Sequence, residues 1–244
     1  MDLGSVLVTL ISALVISEAA KLPPYIKPCS LSDPEFNKCA KEHGQQAIPK
    51  FANGDKKYKV PSLSPLVIPL ITVIPGNNLK VELINVEVRG FENTILNDIS
   101  WDFDKKHIKF NSLLPVLNLV CEYNMKGQIV ILPIEGHGPA NITYTGVTFV
   151  YDFYYDLNEK NGKKYFVAKG GDLEYNVTDA HYKLDNLFNG DKRLGDEMNK
   201  FLNENQNDVQ KELGGTVTQA IIQIISTLLN TIFELVPFEE AFLP

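Results

Sequence analysis

Histidine and cysteine are scarce in this 244-residue chain, four and three residues respectively, and that scarcity excludes much of the commoner chemistry. His43, His107, His137 and His181 lie far apart with no H-x-x-x-H spacing, so the paired imidazoles of a helical zinc protease are missing. No C-x-x-C occurs, which removes zinc ribbons and dithiol redox centres. G-x-S-x-G, Walker-type phosphate loops and G-x-G-x-x-G are absent as well. Basic charge is not in excess. The 23 Lys and Arg against 30 Asp and Glu give a net charge of −7, which lacks the electrostatic footprint of a nucleic-acid binder. We therefore expect no enzyme, no metal, no cofactor and no nucleic-acid partner. Two stretches come nearest to an active site. "EGHGPAN" around His137 reads as a Gly-Pro turn between two strands. "YDFYYD" places Asp152, Tyr154 and Asp156 on one wet strand face, without the convergent carboxylate pair that glycoside hydrolysis requires.

What the chain has is apolar surface, 44% of its residues. The run "LGSVLVTLISALVIS", Leu3 to Ser17, is followed by small residues and then by the polar start "KLPPYIKPC". It reads as a secretory signal peptide, cleaved after Ala19 or after Ala20, which divides the chain into residues 1–20 and a single domain over 21–244. An N-terminal membrane anchor is the alternative, but the run is short for a span of about 20 residues. Cysteine usage suits secretion. Cys29 precedes a helix expected over about Pro34 to Phe51, and Cys39 lies about two turns into it, a separation that a disulfide can bridge. The expected start of that helix is a capping box of Ser32 and Glu35. Cys121 is left over and reads as a buried small hydrophobe. Asn141 and Asn176 each head an N-x-T sequon, the acceptor sites for N-glycosylation in an extracellular protein.

The middle of the chain is β-like. "PSLSPLVIPLITVIPGN" suits an extended edge because of its prolines. "LKVELINVEVRGF" changes phase between Leu83 and Ile84, which suggests a bulge. In "HIKFNSLLPVLNLVCEYNMKGQIVILPIEGHG" two runs are expected to join at Lys126-Gly127, with Leu117, Leu119, Cys121 and Tyr123 on one face of the first. "NGKKYFVAKGG" is a hairpin turning at Asn161-Gly162. Strand follows strand without intervening helices, so the expectation is one large antiparallel sheet.

The last quarter is helical. Asp191 is the expected N-cap, and Leu194, Met198 and Phe201 form a stripe facing the sheet while the Asn, Asp and Lys face stays wet. Beyond Gly214-Gly215 the apolar residues Val217, Ile221, Ile224, Ile225, Leu228 and Ile232 share a face, and Ile222 and Leu229 point elsewhere. A helix apolar on more than one side is one that wants covering. Gln219, Gln223, Asn230 and Glu234 spread through the run, so stable membrane insertion is not expected. One continuous helix from Asp191 to Val236 would be about 69 Å long, against a diameter of roughly 45 Å for a compact domain of this size. Either it breaks at the glycine pair or the domain is elongated around it. A sheet carrying Leu119, Tyr123 and Ile131 can face a helix carrying Phe201, Val217, Ile221 and Leu228, and the two either meet as a packed core or line a cavity. A cavity there would take an elongated apolar ligand held mainly by burial.

Several stretches go further. "LPPYIKPCSLSDPEFNKCAKEHGQQAIPKFANG", "ILPIEGHGPANIT", "LDNLFNGDKRLGDEMNKFLNENQNDV" and "IFELVPFEEAF" resemble the insect takeout and juvenile-hormone-binding-protein family, in the same order and over essentially the whole mature chain. The resemblance implies an α+β fold, a strongly curved antiparallel sheet wrapped around a long C-terminal helix in the manner of the tubular lipid-binding proteins. It also implies a hydrophobic tunnel between helix and sheet. Leu119, Tyr123, Ile131, Phe201, Val217, Ile221 and Leu228 would line that tunnel, with Tyr123 as a polar contact orienting the ligand. Cys29 and Cys39 match the family's N-terminal disulfide. A second bridge, usual in hormone-binding members, cannot form with Cys121 alone, so the chain looks takeout-like. The implied function is that of a monomeric secreted carrier, in haemolymph or a sensory fluid, for a terpenoid such as juvenile hormone, a fatty acid or another long-chain lipid, with circadian and feeding roles associated with the family. The competing reading is an extracellular signalling or interaction protein with a closed core.

Overall fold

The computed structural model describes residues 20–74 and 78–244, apart from the side chains at 214–217 and 220. The expected signal peptide and the cleavage bond after Ala19 lie outside the described residues. Helix α1 spans Phe36–Ala52. Its expected capping box does not form, because the Asp33 carboxylate is nearer and accepts from the N–H of Glu35 at 2.8 Å, while the N–H of Ser32 donates to Ser30 Oγ at 3.2 Å. Six strands follow: β1 (Leu66–Val73), β2 (Leu79–Arg89), β3 (Ile95–Asp102), β4 (His107–Ile129), β5 (Leu132–Lys160) and β6 (Lys163–Leu184). Then come α2 (Lys192–Glu204), α3 (Gln206–Phe233) and the short α4 (Phe238–Ala241).

All six strands form one antiparallel sheet in the order β1-β2-β4-β5-β6, and β3 pairs with the first half of β4, where β2 does not reach. The hairpin turn lies at Asn161-Gly162 as expected, both residues at positive φ. The bulge expected beside Ile84 is found between Ile84 and Glu87, with Asn85 at φ 53°. Two turns expected from glycine are not turns. Strand β4 runs through Lys126-Gly127 and the chain reverses at Val130-Ile131 instead. Gly127 is needed because β2 starts against it: a Cβ there would stand 2.0 Å from the carbonyl oxygen of Asn78. "EGHGPAN" likewise continues β5, and Gly136 makes room for the Tyr123 hydroxyl and Leu187.

Drawn out straight at about 3.3 Å per residue, β5 would run about 95 Å, whereas α3 is about 42 Å long. Strands of that length pack along such a helix only by curving around it. The sheet's two outer strands, β1 and β6, both contact α3, so the curl brings its opposite edges to the same helix. The sheet does not close on itself; the helix fills the gap.

The asparagine-rich helix secures one of those edges. Asn199 Oδ1 accepts from the N–H of Leu184 at 2.8 Å and its Nδ2 donates to the Leu184 carbonyl at 2.8 Å. Asn203 does the same for Tyr182 at 2.7 and 2.9 Å. Gln206 Oε1 accepts from the N–H of Ala180, and Asn230 Oδ1 from that of Ala168 at 3.0 Å. From Gln206 to Asn230 the helix rises about 36 Å, and from Ala180 to Ala168 the strand travels about 40 Å. The two run antiparallel with matching repeats, so carboxamides satisfy backbone groups that an open edge would leave unpaired. The wet asparagine face expected from the sequence is therefore corrected: Asn199 and Asn203 are half-buried against β6, and Leu194, expected against the sheet, is 42% exposed. Helix α1 treats β3 alike, with Gln45 bonded to Leu96 N–H at 2.6 Å and Asn37 to Trp101 N–H at 2.9 Å.

The long helix breaks at Asn205 (φ −112°, ψ 28°), not at the glycine pair, through which α3 continues. Both turns around the break stay bonded, from Asn205 N–H to Phe201 O and from Val209 N–H to Asn205 O.

Candidate functional site

The concave face of the sheet is built by period-two alternation. On β4 it carries Tyr123, Cys121, Leu119 and Leu117; on β5 Ala140, Ile142 and Tyr144; on β6 Leu184, Tyr182 and Ala180, in register across the three strands. Further along, Ile108, Tyr151, Phe153, Tyr155, Phe166 and Leu173 form a second cluster. Helix α3 serves both. Ile224 and Leu228 pack against the first, and Ile221, Ile222, Ile225, Leu229 and Phe233 against the second. Its opposite side, Gln219, Gln223 and Thr227, is exposed.

The two walls differ in how completely they are covered. Tyr123, Tyr151 and Phe153 are at most 1% exposed. The helix residues that face them, Ile221, Ile224, Ile225, Leu228 and Leu229, are all only half-buried, as are Leu117, Leu119, Tyr144 and Phe110 on the sheet. Tyr144 combines two properties. Loss of water pushes its phenol up to about 12, partly offset by the neighbouring Tyr182 hydroxyl, yet its side chain keeps accessible surface. Tyr144 is thus an inward-facing phenol packed against the first cluster, on the sheet's side of the space between sheet and helix. An open pocket of about 310 Å³ lies at the far end of β4, lined by Gly127, Ile134 and Phe188, and Ile134 and Phe188 are also part of the first cluster.

Of the residues expected to line a tunnel, Leu119 and Phe201 are half-buried against the first cluster together with Leu228, and Ile221 against the second. Tyr123 is inside, but its hydroxyl donates to the carbonyl of Asp185 at 2.7 Å, so it is already occupied; burial and the charge of Asp185 raise it to about 12. Ile131 is not inside. It sits in the β4–β5 turn, 72% exposed, because Val130 adopts φ 55° and its N–H donates to Glu212 Oε2 of α3 at 2.6 Å. The side chain of Val217 lies outside the described residues. Sequence reading missed Tyr144, Tyr175 and Tyr182 as interior polar groups; alternation groups Tyr182 with Ala180 and Leu184, but Tyr175 is out of phase with it because Thr178 and Asp179 are both exposed between them.

One end of this space is packed with rings. Trp101 stacks on Phe103 at 5.6 Å and meets Phe36, Phe166 and Phe242 edge-on at 5.6–6.1 Å. The Cys29–Cys39 disulfide (S–S 2.01 Å) stands beside them, and the segment from Cys29 to Leu31 exchanges backbone hydrogen bonds with Leu243. His43 Nδ1 is 3.4 Å from Cys29 Sγ and 3.5 Å from Cys39 Sγ. The bridge consumes both thiolates, so these three residues offer no metal site while it is intact. Asp152 and Asp156 are on the outer face as expected, paired with His107, Lys109, Lys106 and Lys169. Asn141 and Asn176 are exposed on β5 and β6. Among the described residues no helix is long and apolar enough to cross a membrane.

Comparison with known proteins agrees with this architecture. The family model for haemolymph juvenile hormone binding protein matches residues 5–243. The circadian clock-controlled protein daywake of Drosophila melanogaster is 23% identical over 231 residues, covering 90% of this chain and 88% of its own. A putative beta-carotene-binding protein of Schistocerca gregaria is 27% identical over 120 residues, 48% of each chain. The crystal structure of Takeout 1 from Epiphyas postvittana superposes with a TM-score of 0.81 at 27% identity, covering 89% of this chain and 99% of that one.

Proposed function

The chain belongs to the haemolymph juvenile hormone binding protein family, and from that premise we propose that it is a secreted carrier holding a small hydrophobic ligand between α3 and the concave face of the sheet. One observation carries the reading: apolar side chains on both walls, Leu119 and Tyr144 on the sheet and Ile221, Ile224 and Leu228 on the helix, remain half-covered where a packed core would bury them. The ligand class is a terpenoid such as juvenile hormone, a fatty acid or another long-chain lipid, and the locust relative's name adds a carotenoid to the range. Binding draws on burial at about 25 cal/mol per Å² of apolar surface. An elongated molecule suits the space because the walls follow α3, about 42 Å long. The carrier needs no reacting group. Secretion is supported by the Leu3–Ser17 run and by the disulfide, and exposed Asn141 and Asn176 are the proposed glycosylation sites on a monomer.

Native mass spectrometry of the protein from its own tissue, with solvent extraction of what it holds, tests this directly. The expected result is a mass excess that disappears on extraction and an apolar compound in the extract. A bare protein that also fails to bind the apolar fluorophore N-phenylnaphthylamine would sink the proposal.

A further inference from the structure

The outer face of the sheet carries an apolar strip that ends at a sequon. Val67 and Leu70 of β1, Ile84 of β2, and Val116 and Val120 of β4 are between 37% and 58% exposed. The strand register joins them. Leu70 stands opposite Ile84, and Ile84 opposite Glu122. In the neighbouring row Val67, Glu87, Val120, Asn141 and Lys183 lie side by side, one from each of β1, β2, β4, β5 and β6. At about 4.8 Å per strand, Asn141 is one step from Val120 and about 14 Å from Val67. Asn118 donates through Nδ2 to Asn141 Oδ1 at 2.7 Å and to Thr143 Oγ1 at 2.9 Å. The carboxamide of Asn141 is thus held by its oxygen. Its Nδ2, the atom that would carry a sugar, makes no hydrogen bond among the described residues.

Exposed aliphatic residues scattered singly are ordinary, but five at neighbouring register positions make a patch, and a patch of that kind marks a surface that something covers. Charge decides against an anionic lipid surface, since Glu122 stands within the strip and the chain carries −7 overall. A second copy docked about a twofold axis would bring the same carboxylates towards one another. An uncharged oligosaccharide meets neither obstacle. Its sugar rings offer C–H faces to aliphatic side chains and keep their hydroxyls in water, and its anchor already lies in the row of Val120. We propose that Asn141 carries an N-linked glycan whose core lies over Val120 and the adjoining strip, covering it from solvent. Asn176, the other sequon, has exposed Thr148 opposite it and exposed Glu174 and Thr178 beside it, so a sugar there meets polar surface. The proposal rests on the reading of a secreted glycoprotein and gives one of its two sites a task.

The test expresses the full chain in insect cells as wild type, Asn141→Gln and Asn176→Gln, and adds the pair Ile84→Thr and Val120→Thr with and without Asn141→Gln. Glycopeptide mapping reads occupancy, and retention on a hydrophobic-interaction column reads exposed apolar surface. We expect Asn141 to be occupied, and Asn141→Gln to elute later than Asn176→Gln although each lacks one sugar chain. The two threonine changes should shift elution several-fold more without the Asn141 glycan than with it, because a covered strip does not meet the resin. Should Asn141→Gln fail to fold, peptide N-glycosidase acting on folded Asn176→Gln, whose sugar is at Asn141 alone, gives the same comparison. Equal delays for the two sequon variants overturn the cover. Threonine changes that act equally in both backgrounds overturn it as well, and leave the strip open to a second copy or a lipid surface. Asn141 bare beside an occupied Asn176 overturns this proposal while secretion stands; both sequons bare on a chain retained in the cells overturn the secretion reading itself.

Discussion

Cys121 is 6% exposed on the concave face, and burial, helped by Glu122, pushes its thiol up to about 11. At pH 8 about one thiol in a thousand is then ionised, so an alkylating reagent should leave the native protein unmodified at Cys121 and label it on unfolding; mass mapping reads both states. The inward phenols behave alike. Tyr123 and Tyr144 rise to about 12 and Tyr182 also rises, desolvation being the first cause each time. The unfolded chain ionises its phenols near pH 10, while the folded one retains those protons further up the scale. Stability is thus fully present below about pH 10 and falls as pH rises towards 12. Urea midpoints at roughly pH 8 and pH 10.5 should differ in that direction, with phenolate absorbance developing as the protein unfolds; buried phenols that titrate near pH 10 without unfolding would contradict it. Single residues were unevenly legible in the sequence. Alternation put Tyr123 and Leu119 on one face, which the structure turns inward, whereas Ile131 was misplaced because "QIVILPI" runs on without a turn signal. The turn there depends on Glu212, eighty-two residues away, which no local pattern reports. Ile131→Asn should accordingly shift stability by no more than about 0.5 kcal/mol and leave fluorophore binding unchanged.

At the scale of elements, the side-chain ladder from Asn199 through Asn203 to Gln206 explains why a helix so rich in asparagine follows a sheet so rich in β-branched residues. Asparagine is a mediocre helix former, but at spacings of four and three residues its carboxamides match alternate residues of a strand. Asn203→Ala strips the partners from both backbone groups of Tyr182. Leaving a buried donor and acceptor unsatisfied costs about 1–3 kcal/mol each, so the denaturation midpoint should drop clearly. Glu197→Ala, on the exposed side of the same helix, should change it by about 0.5 kcal/mol or less. Equal, small effects would show that the ladder contributes little. The elements themselves were legible: a large antiparallel sheet, a long C-terminal helix and the Asn161-Gly162 turn all follow from periodicity and turn chemistry. The helix break was not, since glycine has the lower intrinsic propensity while Asn205 is where the backbone in fact departs from helix, and its Nδ2 bonds the Phe201 carbonyl at 2.8 Å there. Nor was the ladder, because a polar helix face reads as solvated until the edge beside it is known.

For the whole molecule the decisive question is how much of the space between α3 and the sheet is filled. A sheet whose two edges meet one helix encloses a volume set by strand length and curvature, and side chains need not fill it. Leu228→Trp separates the two cases. It lies half-buried on the helix wall, packed against the first cluster. In a filled core the added volume would force neighbours off their rotamers at a cost of about 1–3 kcal/mol. In an open interior the indole takes space that a ligand would use, so fluorophore affinity falls while the denaturation midpoint holds. Linkage gives an independent check on the same premise. A ligand that binds only the folded chain adds about 2.7 kcal/mol at a hundred times its dissociation constant, which in a domain of this size raises the melting temperature by roughly 5–10 °C. Trp101, the chain's single tryptophan, sits in the aromatic cluster at one end of the walls and reports the transition without a label. The open interior requires both results together in the same preparation: a ligand-dependent rise in the Trp101 transition for wild type, and a diminished rise, from an unchanged starting midpoint, for Leu228→Trp. An overpacked variant would instead start lower and rise as much as wild type, which would mean that whatever binds does so elsewhere.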